Sequence, residues 1–440
     1  VLFFDSGEFE NIVNHYLENG KIALAKKAVK LGLDQHPSSS NLQLFRIEIL
    51  IFENKLTEAD RLLNDLYLLE PNNEEVYIQK ANIYSKQDDH KKAVELLENA
   101  LELTEDDADI YSLIGMEYLF MEDFQNAKFN FMKCLEVDDE DYSALYNVIY
   151  CFDFLEQHQE AIDYLNMFLD SNPYCEVAWH QIGKQYFDLK QYDKALAAFD
   201  FAIISDDTFI GAYFEKGKVL EKMGKYNEAI ENYQITLELD DPTSFAYLRM
   251  GKCYQKLHCD DLALKYFLKT VHEDPLLDKG WIAITDFHIK KLDFQNALYY
   301  INKAINIDGD NVLYWKRYAK INDRLKFYEE AERGYRRTLE LGNYEQDTWL
   351  TRCDILVALG EYEGAIQNLF QAIEFYPESP EIEFRLAGLY FTLAEDTKGH
   401  FHLENALRLE PGYDIILEEL FPNAYAKKSV LEKIKQAKES

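Results

Sequence analysis

Lys184, Lys218, Lys252 and Lys320 stand at whole multiples of 34 residues from one another in a chain of 440. Ammonium groups set in register along one surface can hold an anion, so these lysines are the first candidates for chemistry. Other reactive residue types lack the spacing that such work needs. Gly211–Val219 has the glycines and lysine of a phosphate loop, but five residues separate Gly211 from Gly217 where four are needed. Val219 also stands where that loop needs Ser or Thr. His400 and His402 are two apart, and a helix would send them in different directions, so they read as surface histidines. The carboxylate run Asp138–Asp141 reads as a solvated turn and helix N-terminus. A calcium loop, a nucleophile elbow and an HExxH motif are missing. The six cysteines, Cys134, Cys151, Cys175, Cys253, Cys259 and Cys353, form no CxxC pair and read as core side chains of a reducing compartment. The expectation is a chain with no catalytic residue, no metal and no cofactor.

Charge and apolar content narrow the class further. Lys plus Arg number 46 against 80 for Asp plus Glu, a net charge of −34, with 48% hydrophobic residues. The apolar share is ample for a core, while the acidity keeps the chain soluble and repels nucleic acid and anionic lipid. No run reaches the roughly 18 apolar residues of a membrane span. Val1–Phe4 is too short for a signal-peptide core, and the absence of a first Met leaves an upstream signal open. A cytoplasmic protein that binds no membrane is the expectation.

What must position the lysines is a repeat. Counting from Ser6 in steps of 34 gives twelve repeats, beginning at residues 6, 40, 74 and onward to 380, without insertion or deletion. Position 20 is alanine in eleven of them, from Ala25 to Ala365, and Gly399 in the twelfth. All four tryptophans (Trp179, Trp281, Trp315, Trp349) fall at position 4, where Phe9, Tyr77, Tyr111, Tyr213 and Tyr247 also sit. Six repeats carry proline at position 32, among them Pro71, Pro173 and Pro275. Positions 4, 7, 8 and 11 follow the spacing of one helical face, as Trp179, Ile182, Gly183 and Tyr186 show. Small residues at position 8 let a second helix approach, which carries alanine at 20 and an aromatic at 24 and is stopped by the proline. Gly211–Pro242 displays one such pair, joined by a Gly-Lys-Tyr turn. A single pair cannot bury its own apolar face, so neighbours must stack.

This pattern resembles the tetratricopeptide repeat family over residues 6–413. The resemblance implies an all-α fold of antiparallel helix pairs wound into a right-handed superhelix, a solenoid whose first helices line a concave groove. Residues 1–413 would form the twelve repeats and 414–440 a capping segment. Repeat two departs from the pattern at Gln43, Arg46 and Ile47, repeat five at Leu145 and Ile149, and repeat twelve at Glu383 and Gly399. These read as altered packing. A helix at Ile415–Phe421 cut by Pro422, then a lysine-rich stretch Ala424–Glu439, would cover the last apolar face.

Positions 2, 5, 6, 9, 12 and 13 of each first helix point away from the core stripe, and by resemblance they line the groove. In repeats six to ten they carry Lys184, Lys218, Lys222, Arg249, Lys252, Lys256, Lys279, Lys290, Lys316, Arg317, Lys320 and Arg324 against only five carboxylates, two of them Glu221 and Asp286. In repeats two to five the same face is apolar, with Leu44, Ile51, Phe52, Phe120, Tyr146, Tyr150 and Phe154, and Phe187 continues it into repeat six. Neither the family's carboxylate clamp nor its position-6 asparagine ladder is present, so those specificities do not transfer. The expected function is a non-enzymatic adaptor that holds an acidic or extended peptide of a protein partner. Polyanion or RNA binding in the basic groove, and self-association through the N-terminal half, are the alternatives.

Overall fold

The computed structural model describes residues 3–104, 107–239 and 243–439; Val1, Leu2 and Pro242 lie outside them. Among the described residues helices alternate from Ser6–Glu18 to Asp396–Leu409, a first and a second helix for every step of 34, and no strand occurs. The protein is an all-α helical repeat. None of these helices is long and apolar enough to cross a membrane. Two compact bodies divide the chain, Val1–Val219 and Leu220–Ser440, with the division inside the helix Ile210–Lys222.

Local chemistry starts and stops the helices. Ser39, Asp141 and Ser379 sit at N-caps and accept from the amides of Leu42, Ala144 and Ile382, filling donors that a helix start leaves open. The turn inside each pair uses one device twelve times. Position 15 has a positive φ in every repeat, yet only Gly20, Gly224 and Gly360 are glycine there. Leu292, at φ 59°, and Ala394, at φ 60°, adopt the left-handed conformation with a Cβ. The amide of position 16 then donates to the carbonyl of position 11, as Lys225 does to Leu220 at 2.9 Å, which closes the helix end.

Within a pair, the eleven position-20 alanines are fully buried. The glycines at position 8 are required by the ring at position 24. A Cβ on Gly183 would lie 2.5 Å from Phe199, and one on Gly251 2.5 Å from Phe267. Positions 3 and 10 join the core as well, which the 4, 7, 8, 11 stripe does not include. Both are buried in every repeat from the second to the twelfth. In the second to sixth and the eighth to twelfth repeats, each first helix touches its own second helix and that of the repeat before. At position 3 of repeat nine, a Cβ on Gly280 would come within 2.8 Å of Val271 and 3.0 Å of Thr270 on the preceding second helix.

The position-4 rings have a second task. The indole N–H groups of Trp179, Trp281 and Trp315 donate to the carbonyls of Pro173, Pro275 and Gly309 at 2.8–2.9 Å. The hydroxyls of Tyr77 and Tyr213 donate likewise to Pro71 and Asp207, each at 3.2 Å. Position 32 thus stops one helix and anchors the next repeat through its carbonyl, a role that proline fills without an N–H.

Repeat twelve is closed by a short 3-10 turn, Pro411–Asp414, and the helices Ile415–Leu420, Pro422–Tyr425 and Lys428–Glu439. Phe421 lies so close over Gly388 that a Cβ there would be 2.2 Å from its ring. Val430 and Ile434 are buried in the same cluster, while Lys427, Lys433 and Lys438 pair with Asp396, Glu404 and Asp414. The reading of His402 as a surface residue is corrected here. It is buried, its ring stacks on Tyr390, and its Nδ1 lies 2.7 Å from Glu383 Oε2. Glu383 stands where other repeats put an aromatic, and the imidazole that meets it accounts for that departure.

Candidate functional site

In the N-terminal body, Tyr146, Tyr150 and Phe154 follow at four-residue steps along the helix Tyr142–Phe154 and so share one stripe. Phe120 ends the preceding first helix, Ala108–Phe120. Their exposures are 44%, 49%, 60% and 58%, high for residues of this size. The rings are steadied from one side. Phe124 stacks on Phe154 with centroids 4.0 Å apart, Tyr150 lies 5.9 Å from Phe154, and His90 stacks on Phe120 at 5.2 Å. This leaves fixed aromatic edges and faces open to water.

Other expected members of the apolar face belong elsewhere. Leu44 and Ile51 are buried in a core cluster with Leu63 and Val76, so in repeat two positions 5 and 12 serve packing, not the surface. Phe187 is half-buried, with the Lys218 ammonium 5.9 Å from its ring centroid. Lys218 also pairs with Glu215 at 2.6 Å, whereas Lys184 makes no ion pair among the described residues.

His180 lies at position 5 of the same helix as Lys184, Glu176–Asp188, and its residue type alone gave no signal. It packs edge-on against Phe209, and neither ring nitrogen has a hydrogen-bond partner. Burial, then Lys184 and Lys218, pushes its pKa down to about 4, so the ring is neutral at pH 7.

In the C-terminal body the expected basic run becomes an alternation of cations with acids. Arg249 pairs with Glu221 at 3.3 Å, and Arg317 grips Asp286 with two bonds of 2.9 and 3.2 Å. Lys316 pairs with Glu345, and Lys320 lies 4.0 Å from Asp347. Together with Lys218, five of the twelve cations expected on this face are matched within the protein. Lys222, Lys252, Lys256 and Arg324 make no ion pair among the described residues. Lys252 is exposed, yet surrounding protein and the like charges of Arg249 and Lys279 hold its ammonium below the usual lysine range, against the opposing pull of Glu221 and Asp286. An exposed ammonium crowded by its own protein gains from any further carboxylate.

One of these pairings, Arg317 with Asp286, follows a rule that the sequence does carry. Position 6 of a repeat faces position 9 of the one before, 31 residues earlier. Arg317 meets Asp286 this way, and Arg385 meets Asp354 with bonds of 2.7 and 2.8 Å. Comparing positions within one repeat misses it; comparing adjacent repeats finds it. Five of the six thiols are buried, and burial pushes Cys134 and Cys253 up to about 12 and Cys151 up to about 11, which keeps them protonated at neutral pH.

A family model described as tetratricopeptide repeat matches residues 50–116, and a second of the same description matches 108–141 and 210–241. Tetratricopeptide repeat protein 7A of Homo sapiens is 29% identical over 94 residues, which make up 21% of this chain and 11% of that protein. The likeness therefore spans a small part of that relative's length. Among solved structures, MamA protein is similar at 26% identity over 38% of this chain and 92% of its own, with a TM-score of 0.34. A chain of the APC/C hetero-tetramer Cut9-Hcn1 is similar at 14% identity over 95% of this chain and 96% of its own, with a TM-score of 0.37.

Proposed function

From the premise that this chain is made of tetratricopeptide repeats and is a protein-interaction scaffold, we propose that its N-terminal body captures the apolar side chains of an extended or amphipathic protein segment, and that its C-terminal body, as a separate site, captures acidic ones. The observation that carries this reading is the open aromatic stripe Tyr146–Tyr150–Phe154, with Phe120 exposed at the end of the preceding first helix. Apolar side chains of the partner seat against these rings, which lose little freedom on binding because Phe124 and His90 already hold them. Carboxylates of a partner meet Lys252, Lys256 and Lys222 in the C-terminal body, where no internal acid pairs with them among the described residues. The internal pairing of Arg249 and Arg317 lowers the cation density that a polyanion or RNA would need.

A phage-displayed library of random dodecapeptides tests the reading. Selected sequences are expected to be rich in Leu, Phe or Ile or in Asp or Glu, and a Tyr150→Ala/Phe154→Ala variant is expected to lose the apolar ones. Undiminished recovery of the apolar sequences by that variant, or selection of lysine-rich ones, would overturn the reading. The uncovered rings also favour self-association through this stripe, for which light scattering should show mass rising with concentration in the wild type alone.

A further inference from the structure

Between the second helices Tyr328–Glu340 and Tyr362–Phe375, with the first helix Gln346–Leu359 as its floor, lies an open cavity of about 730 Å³. None of its lining residues belongs to the faces assigned above.

Its shape comes from a break in the repeat's own rule. The helix Tyr328–Glu340 has 13 residues where the second helices on either side of it, Phe294–Ile307 and Tyr362–Phe375, have 14. Gly342 turns the chain at φ 93°, and the Asn343 amide donates to Thr338. Asn343 occupies position 32, but its carbonyl is not met by the ring at position 4. The Trp349 indole N–H has no hydrogen-bond partner although the residue is 4% exposed. Instead Tyr344 lies against Phe375, with centroids 4.7 Å and planes 18° apart, and Trp349 runs nearly parallel behind both. The Tyr376 hydroxyl donates to the Tyr344 carbonyl at 3.0 Å and keeps the turn in place. Tyr344 and Phe375 stay 45% and 48% exposed, so the stack presents ring surface to the cavity.

The walls carry four carboxylates and two guanidinium groups. Arg352 is held by Glu332 at 2.7 Å, Arg336 lies 3.8 Å from the same residue, and Glu340 pairs with Arg337 at 3.2 Å. Glu361 and Glu374 have no side-chain hydrogen bond or ion pair among the described residues. Ring faces beside unmatched carboxylates attract a cation, and a planar one can use both at once, stacking on the rings while bonding a carboxylate. The cavity is several times larger than one side chain, and the exposed amides of Gln367 and Gln371 on the same wall suit a peptide backbone.

We propose that this cavity docks an arginine side chain of a partner protein, its guanidinium lying on the Tyr344–Phe375 stack and paired with Glu374. The site is independent of the aromatic stripe in the N-terminal body, so it stands or falls separately.

The experiment uses the full chain labelled with 5-fluorotryptophan and the peptide acetyl-Gly-Ser-Arg-Leu-Gly-amide, followed by ¹⁹F NMR. The resonance of Trp349 should move saturably while those of the other three tryptophans stay. The citrulline counterpart should bind at least tenfold more weakly. Phe375→Ala should weaken binding at least fivefold, as should Glu374→Gln, which alters only an exposed carboxylate and leaves folding intact. Four tryptophans moving in parallel would mean general attraction to an acidic chain and would overturn the proposal. Equal binding of arginine and citrulline peptides, or wild-type titration by Glu374→Gln, would overturn it too. A Trp349 shift that grows with protein concentration before any peptide is added would assign the cavity to a second copy of the chain instead.

Discussion

His180 makes acid sensitivity a local and removable property. The ring is neutral in the folded protein because burial and the charges of Lys184 and Lys218 hold its pKa at about 4, below the ordinary 6.5 of histidine. A histidine depressed in this way leaves folding stability intact above the unfolded pKa. That stability is lost as pH falls through 6.5 and levels off below the folded value, because in this window the unfolded chain binds a proton that the folded chain refuses. The whole shift corresponds to roughly 3 kcal/mol, of which about 2 kcal/mol is gone near pH 5. Carboxylates such as Glu53 and Asp260, held low by their lysine partners, add to acid loss in any variant. The informative quantity is therefore a difference. Wild type and His180→Leu are compared by urea unfolding near pH 7.5 and near pH 5. Hydrogen exchange is read on the helix Glu176–Asp188, since repeat arrays can open locally. The gap should widen by about 2 kcal/mol in favour of the variant on acidification. Leucine also removes two ring nitrogens that lack partners, so the variant should not be less stable at neutral pH by more than its packing change. Parallel losses in both proteins would refute the assignment.

Three further outcomes follow from the packing. Gly251→Ala places a Cβ 2.5 Å from the buried Phe267 ring and should cost about 1–3 kcal/mol, read from the urea midpoint. Leu292→Gly relieves a left-handed residue at φ 59° and should stabilise by up to about 1 kcal/mol in the same assay, the relief exceeding glycine's entropy cost. Asp354→Ala strips both bonds from Arg385, which is 9% exposed, and should destabilise the C-terminal body by about 3–5 kcal/mol; calorimetry should show it melting earlier.

The helical repeat could be read from residue types because it is periodic. Alanine at position 20 and small residues at position 8 report a close helix approach, and each recurs at a fixed interval. Burial at positions 3 and 10 was hidden because Ala144, Gly280, Gln185 and Glu117 at those places do not look like a core stripe. They are buried by the neighbouring repeat, not by their own partner helix. The candidate faces were legible only in part. Tyr150 and Phe154 stand where the helical face put them, open to solvent. Counting cations on one face overstated free charge, because Asp286 and Asp347 reach them from adjacent repeats. The cavity at Trp349 had no sequence signal of its own; it arises from a turn reshaped at Gly342.

The account rests on the aromatic stripe being where a partner binds. Replacing Tyr150 with the photo-crosslinker p-benzoylphenylalanine, in the full chain in its own cells, tests that directly. Phe129 serves as the control, being 57% exposed on the second helix Phe124–Val137. Illumination should join a partner protein to position 150 and none to position 129. Equal crosslinking at both positions, or crosslinking at 129 alone, would contradict the account.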